Sequence, residues 1–172
     1  LAALPTYDPN SFNKVEDAAV FTNPLIENVY EMGSIIKPLG MAAALDAGKV
    51  TPQTTYVDEG TVTVEKSVIS NYDGKSRGKV SMQEVLNQSL NTGMVFVMKS
   101  LGRNLFATYM KAYGLGEKTG IDLPNEIPGL IANLNSPRDV EHATAAFGQG
   151  IALTPIATIR ALASLGNGGF LV

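Results

Sequence analysis

Ser34 and Lys37 stand three residues apart in Gly33-Ser34-Ile35-Ile36-Lys37, and on a helix that spacing puts both side chains on one face, about one turn apart. A serine hydroxyl is a weak nucleophile near neutral pH. A neighbouring amine can take its proton if an apolar pocket or a second cation holds the lysine pKa down. Further along, Ser89-Leu90-Asn91 offers a second pair. A hydroxyl there can relay a proton, and a carboxamide can hold the lysine and a substrate carbonyl together. Ser and Asn are also common helix caps, and taken alone Ser89 and Asn91 fit a capping role better than a catalytic one.

The remaining candidates carry less chemistry. His142 is the sole histidine; a Ser-His-Asp triad would need it, but it falls in a polar-to-apolar helix pattern where packing or surface exposure is expected. With that one histidine and no cysteine, zinc catalysis has almost no support, and no cofactor is expected. Asp8, Asp58, Glu59 and Asp73 are scattered in turns and are expected to be solvated. Met41, Met94, Met98 and Met110 recur in helical segments and read as core filler. Gly148 and Gly150 lack the Gly-Lys-Ser/Thr ending of a phosphate loop, so close backbone packing is the better reason for them.

The elements that must position these residues are mostly helical. Ser34 to Ala47 has a helical pattern, with Pro38 in its first turn and Gly48 as its stop. Thr54 to Ser70 is rich in Thr and Val and predicts one or two short strands or an extended excursion, followed by a turn at Asn71–Lys75. Ser81-Met82-Gln83-Glu84 matches a capping box and opens a second helix, with Val85 and Leu86 turned inward. Helices are predicted over Met94–Leu101, Leu105–Tyr113 and Ile156–Leu165, the last with Thr154 as N-cap and Pro155 at the first position. Glu117 to Asn135 is mostly loop. Strand material is expected in the middle and at both ends, where Leu1–Leu4 enters a turn and Gly168–Gly169 leads into Phe170-Leu171-Val172.

At 172 residues with 45% hydrophobic and 17% charged residues, the chain can bury a core as one domain. The 13 basic against 16 acidic residues give no surplus for nucleic-acid binding. No apolar run is long enough for a membrane span. Both ends read as cut, so a fragment of a longer protein is expected.

In this order, Ser-x-x-Lys followed by Ser-x-Asn resembles the opening signature of penicillin-binding proteins and serine β-lactamases. Tyr30-Glu31-Met32-Gly33-Ser34-Ile35-Ile36-Lys37-Pro38 is similar to the nucleophile segment of class B penicillin-binding proteins, in which Tyr-Glu-Pro-Gly-Ser-Thr-x-Lys is typical. Tyr7-Asp8-Pro9-Asn10 resembles their first core strand and its exit. Two later stretches, Gly114-Leu115-Gly116-Glu117-Lys118-Thr119-Gly120-Ile121-Asp122-Leu123-Pro124 and Phe147-Gly148-Gln149-Gly150-Ile151-Ala152-Leu153-Thr154-Pro155, resemble further segments of the family. Met32 and Ile35 depart from the commoner Pro and Thr at positions without chemistry. The family's third motif, Lys-Thr-Gly or Lys-Ser-Gly on a strand after the Gly-Gln-Gly stretch, does not occur within these residues. Lys118-Thr119-Gly120 precedes that stretch and lies in a loop, so it is read as a coincidence.

The resemblance implies an α+β fold, a multi-helix cluster packed on an antiparallel sheet of the β-lactamase/transpeptidase type. Residues 1–172 would be the N-terminal and central part of one transpeptidase domain, completed by a C-terminal segment. It implies acyl transfer from the D-Ala-D-Ala end of peptidoglycan stem peptides, with β-lactams trapping the enzyme. Ser34 would attack, Lys37 would take its proton, Ser89 would relay a proton to the leaving amine and Asn91 would hold the substrate amide. The Ser34 backbone N–H would be one oxyanion donor. The resemblance further implies a membrane-anchored protein of a cell-wall synthesis complex, on the outer face of the bacterial cytoplasmic membrane. A D,D-carboxypeptidase or β-lactamase, a non-catalytic β-lactam sensor, and an inactive structural piece stay open as other readings.

Overall fold

A computed structural model describes residues 2–172. Leu1, the first residue of the expected terminal strand, lies outside the described residues. In chain order the elements are α1 (Pro24–Glu27), α2 (Lys37–Asp46), β1 (Thr55–Asp58), β2 (Thr61–Val64), β3 (Ser67–Ser70), β4 (Gly78–Ser81), α3 (Met82–Asn87), α4 (Asn91–Leu101), α5 (Arg103–Ala112), α6 (Asp139–Ala145) and α7 (Pro155–Gly166). Short 3₁₀ turns cover Pro9–Lys14, Ala18–Phe21, Gly33–Ile36 and Ala132–Asn135.

The core is built around α4. Thr92, Gly93, Met94, Val95, Val97, Met98 and Leu101 are all buried, so this helix is apolar nearly all round and sits at the centre of the cluster. It packs on α2, α3, α5 and α6 and on strands β1 and β3. Met41, Met94, Met98 and Met110 are each no more than 3% exposed, which is the filler role their flexible side chains suit. Truncating one of them to alanine costs about 2–5 kcal/mol.

Local signals set most helix ends. Ser81 Oγ accepts the Glu84 N–H at 3.3 Å and Thr154 Oγ1 accepts the Ala157 N–H at 3.3 Å, so both capping residues act as read. The Glu84 side chain does not close the capping box; it binds Asn87 and Gln88 instead. Val85 is fully buried while Leu86 is 37% exposed, because successive helical residues point about 100° apart and only one can face α4.

The strand expectations need correction. The middle segment forms two antiparallel ribbons, β1 with β4 and β2 with β3, rather than one or two strands. No strand occurs at either end among the described residues. Pro9–Lys14 is a 3₁₀ turn because Asp8 accepts the Asn10 N–H and Pro9 starts the turn, and Gly168–Val172 leaves α7 without pairing. A strand needs a partner for its backbone groups, and these tails have none here. The class is still helix-rich α+β.

Candidate active site

Gly33 has φ +58°, a left-handed conformation that costs a side-chain-bearing residue about 1–2 kcal/mol. It turns the chain into the 3₁₀ segment Gly33–Ile36, which runs directly into α2 at Lys37. Ser34 therefore sits on a 3₁₀ turn and not on the α-helix. Three residues per turn still align it with Lys37. Ser34 is exposed, whereas Lys37 is only 2% exposed.

Lys37 Nζ donates three hydrogen bonds, to Ser89 O at 2.6 Å, Asn91 Oδ1 at 2.8 Å and Ser89 Oγ at 3.0 Å. These match the three donors of an ammonium group. Burial pushes its pKa down from 10.5 to about 8. Ser89 Oγ in turn donates to Ser34 Oγ at 3.0 Å. Ser34, Lys37, Ser89 and Asn91, the four residues singled out in the sequence, thus share one hydrogen-bonded chain. Ser34 and Lys37 are not bonded directly; Ser89 stands between them.

The capping alternative fails for Ser89 and Asn91. The N-cap of α4 is Leu90, without a side-chain cap bond, and Asn91 is already the first helical residue. Ser89 has φ +54°, a strained value for serine. That conformation points both its carbonyl and its hydroxyl at Lys37.

A second layer holds Asn91. Its Nδ2 donates to Ser70 O at 2.9 Å. Thr92, the next residue, donates its N–H to Asn71 Oδ1 at 3.2 Å and its hydroxyl to Asp58 Oδ1 at 2.7 Å. Asn71 Nδ2 spans both Asp58 oxygens at 2.9 and 3.0 Å, and the N–H groups of Gly60 and Arg77 complete the carboxylate shell at 3.0 Å each. Tyr56 hydroxyl lies 3.1 Å from Thr92 Oγ1 and donates to it, since the Thr92 proton is committed to Asp58; burial pushes the Tyr56 pKa up to about 12. Asp58 is 1% exposed, which overturns the expectation that it is solvated. Strand parity is the reason. In β1 Tyr56 and Asp58 share the inward face while Val57 is 64% exposed. The expectation put Asp58 in a turn, whereas it is the last residue of β1, on the inward face.

Other sequence candidates fall elsewhere. His142 is buried at 2% exposure, with Nε2 2.9 Å from Ser136 O and Nδ1 unpartnered among the described residues; it has a packing position. Lys118 is exposed and bonds neither Ser34 nor Ser89 among the described residues. Its neighbours Thr119 and Gly120 wrap Glu126 instead, their N–H groups donating to its carboxylate at 2.6 and 3.0 Å. A cavity of about 460 Å³ between β1, β2 and α4 is lined by Tyr56, Phe96, Glu59 and Lys99 and does not reach Ser34. No group of three or more His, Asp or Glu side chains forms a metal site among the described residues.

The helix-rich α+β scaffold thus sets an exposed serine over a buried lysine, with a hydroxyl bridging them. Residues 1–172 match the family model described as the penicillin binding protein transpeptidase domain, and the chain belongs to that family. It is 34% identical to stage V sporulation protein D of Bacillus subtilis over 99% of the chain and 27% of that protein. It is 32% identical to the peptidoglycan D,D-transpeptidase FtsI homolog of Chlorokybus atmophyticus over 100% of the chain and 27% of that protein. The TP domain of Burkholderia pseudomallei penicillin-binding protein 3, in its apo structure, superposes with a TM-score of 0.81 at 25% identity, over 87% of this chain and 45% of that one. The chain spans about a quarter of the length of the curated relatives it matches.

Proposed function

We propose that the protein is a serine-type peptidoglycan D,D-transpeptidase, acylated by stem peptides and by β-lactams. The observation that carries the proposal is the chain from buried Lys37 through Ser89 Oγ to exposed Ser34 Oγ, with 3.0 Å at each link. With Lys37 neutral, the chain can run in the opposite sense. Ser34 O–H then donates to Ser89, and Ser89 O–H to the Lys37 amine. Attack by Ser34 Oγ on the penultimate D-alanine carbonyl forms the ester as its proton passes through Ser89 to Lys37. The amide C–N bond breaks, and the proton returns along the same hydroxyl to the leaving D-alanine amine. An amine from a second stem peptide then takes the acyl group and frees Ser34. Asn91, whose oxygen is committed to Lys37, keeps an N–H for the substrate carbonyl.

The names of the relatives support peptidoglycan as substrate. The family supports placement outside the cytoplasmic membrane, with an anchor and a cell-wall synthesis complex as further parts of the proposal. Among the described residues no helix is long and apolar enough to cross a membrane. The 45% coverage of the superposed domain supports residues 1–172 as one part of a larger transpeptidase domain, packed with a later segment of the same protein.

The test uses the full-length protein. Incubation with a fluorescent penicillin followed by peptide mapping is expected to place the adduct on Ser34, and a stem-peptide analogue with an added acceptor amine should give a cross-linked product and free D-alanine. An adduct on another serine, or labelling that survives Ser34→Ala, overturns the proposal. Rapid nitrocefin turnover would identify a hydrolase instead.

A further inference from the structure

Residues 148–153 run alongside residues 30–33 and grip them at several points. Tyr30 and Leu153 exchange both backbone hydrogen bonds, at 3.0 and 2.9 Å. Gly33 N–H donates to Gly148 O at 3.2 Å. Gly150 N–H donates to Glu31 Oε1 at 2.8 Å. The turn is itself fastened to the C-terminal end of α6, where Gly148 N–H reaches Ala145 O at 3.0 Å and Gln149 N–H reaches Thr144 O at 3.1 Å. Behind it, Ala145 and Ala146 are no more than 1% exposed, so the support is core and not loop.

The tightest contact is at Gly148. A Cβ built there would lie 2.6 Å from Gly33 N and 2.7 Å from Gly33 C, and closer still to Gly33 O. No side chain fits between the two backbones, and the φ of +78° independently requires glycine. The atoms that a side chain at Gly148 would displace matter because Gly33 C=O and Ser34 N–H belong to one planar peptide unit. Whatever holds that carbonyl also sets the direction of the N–H beside the nucleophile. At Gly150, by contrast, a Cβ would meet side-chain atoms and not backbone, Asn133 Nδ2 at 2.6 Å and Thr144 Oγ1 at 3.4 Å.

We propose that the Gly148–Gly150 turn is the positioning element of the site, fixing the Gly33–Ser34 peptide plane so that Ser34 N–H points at the developing oxyanion. Gly148 acts by the absence of a side chain and Glu31 by tethering the far end of the turn. This rests on the transpeptidase reading, in which Ser34 N–H is an oxyanion donor. It assigns roles to Gly148, Gly150 and Glu31, none of which touches the reacting atoms. The expected signature is selective. Encounter with a β-lactam is left alone, while stabilisation of the tetrahedral state is lost.

The experiment measures, in the full-length protein, the non-covalent dissociation constant of a penicillin and the first-order acylation rate by stopped flow. Gly148→Ala is expected to lower the acylation rate about a hundredfold, as ångström-scale misplacement does, with the dissociation constant within about twofold. A boronic acid that forms a tetrahedral adduct on the serine should lose affinity by a similar factor. Should Gly148→Ala not fold, Glu31→Ala decides. It removes one exposed hydrogen bond and should slow acylation about fivefold, the factor of one ordinary net hydrogen bond. Glu31→Gln keeps an acceptor oxygen and should restore most of that loss. Wild-type acylation rates in the folded Gly148→Ala protein, or in Glu31→Ala where that variant decides, overturn the inference, as does a loss confined to the dissociation constant. If the wild-type protein itself takes no penicillin on Ser34, it is the transpeptidase reading that fails.

Discussion

Lys37 grips Ser89 by two atoms at once, its Nζ donating to the Ser89 carbonyl at 2.6 Å and to the Ser89 hydroxyl at 3.0 Å. Both acceptors can face one ammonium because Ser89 adopts φ +54°, so backbone strain at this residue serves the geometry of the proton path.

That relationship predicts a separation of stability from activity. Ser89→Ala and Ser89→Gly both remove the bridging hydroxyl and should each lower the acylation rate by a factor of about a hundred or more. Glycine accepts the left-handed backbone without penalty, so Ser89→Gly should be more stable than Ser89→Ala by about 1 kcal/mol. Urea midpoints and penicillin labelling of the two variants check this. Equal stability would remove the strain argument, and fast labelling of either variant would remove Ser89 from the proton path.

Acylation should rise with pH through the Lys37 titration. Burial lowers the pKa of this lysine to about 8, and only the neutral amine can accept the serine proton. At pH 7 about a tenth of the protein carries that form, so the rate should climb nearly tenfold per unit below pH 8 and level off above it. Stability moves the same way. The unfolded lysine titrates at its ordinary value of 10.5, so between about pH 8 and 10.5 the unfolded state binds more protons and stability grows with pH. Lys37→Met should lose this contribution to the slope. A pH-independent acylation rate between 6 and 9 would show that Lys37 is not the base.

What the sequence made legible was local. Ser34 and Lys37 lie one turn apart, and a three-residue spacing needs no tertiary knowledge. The helices around Met94, Met98 and Met110 follow from apolar pattern and caps. Ser89 and Asn91 look like caps because capping is a local act, whereas their bonds to Lys37 cross 52 and 54 residues of chain. Family resemblance, not spacing, singled them out. Asp58 reads as a solvated turn residue because its partners Asn71, Arg77 and Thr92 lie 13 to 34 residues away, beyond the reach of local pattern. The expected terminal strands are absent among the described residues, since an extended tail becomes a strand only beside a partner.

The buried carboxylate of Asp58 makes a sharp stability prediction. Removing it by Asp58→Ala strands the donors of Gly60, Asn71, Thr92 and Arg77, at a cost of about 3–5 kcal/mol, the scale for breaking a buried charged network. Thr92→Val keeps the shape and loses one hydroxyl, costing about 1–2 kcal/mol. Both should loosen Asn91, since Thr92 follows it and Asn71 follows Ser70, its carbonyl partner. Denaturant unfolding gives the energies. A cost under about 1 kcal/mol for Asp58→Ala would mean that water replaces the network.

Lys118-Thr119-Gly120 has the residues of a catalytic motif but is occupied with another task. Thr119 N–H and hydroxyl and Gly120 N–H all donate to the Glu126 carboxylate, while the Lys118 side chain is exposed. Burial works to raise the Glu126 pKa, but the bonds from Thr119 and Gly120 outweigh it and hold the group below its usual value. A carboxylate lowered on folding contributes stability above its unfolded pKa of about 4.5. That contribution fades as pH falls through 4.5 and below, so hydrogen exchange at Thr119 and Gly120 should accelerate in acid before the core opens. Glu126→Gln should reproduce the fast exchange at neutral pH. Lys118→Ala should change neither the exchange nor the penicillin acylation rate. A tenfold slower acylation in Lys118→Ala would place this lysine in the reaction after all and overturn the reading of the loop as a structural clasp.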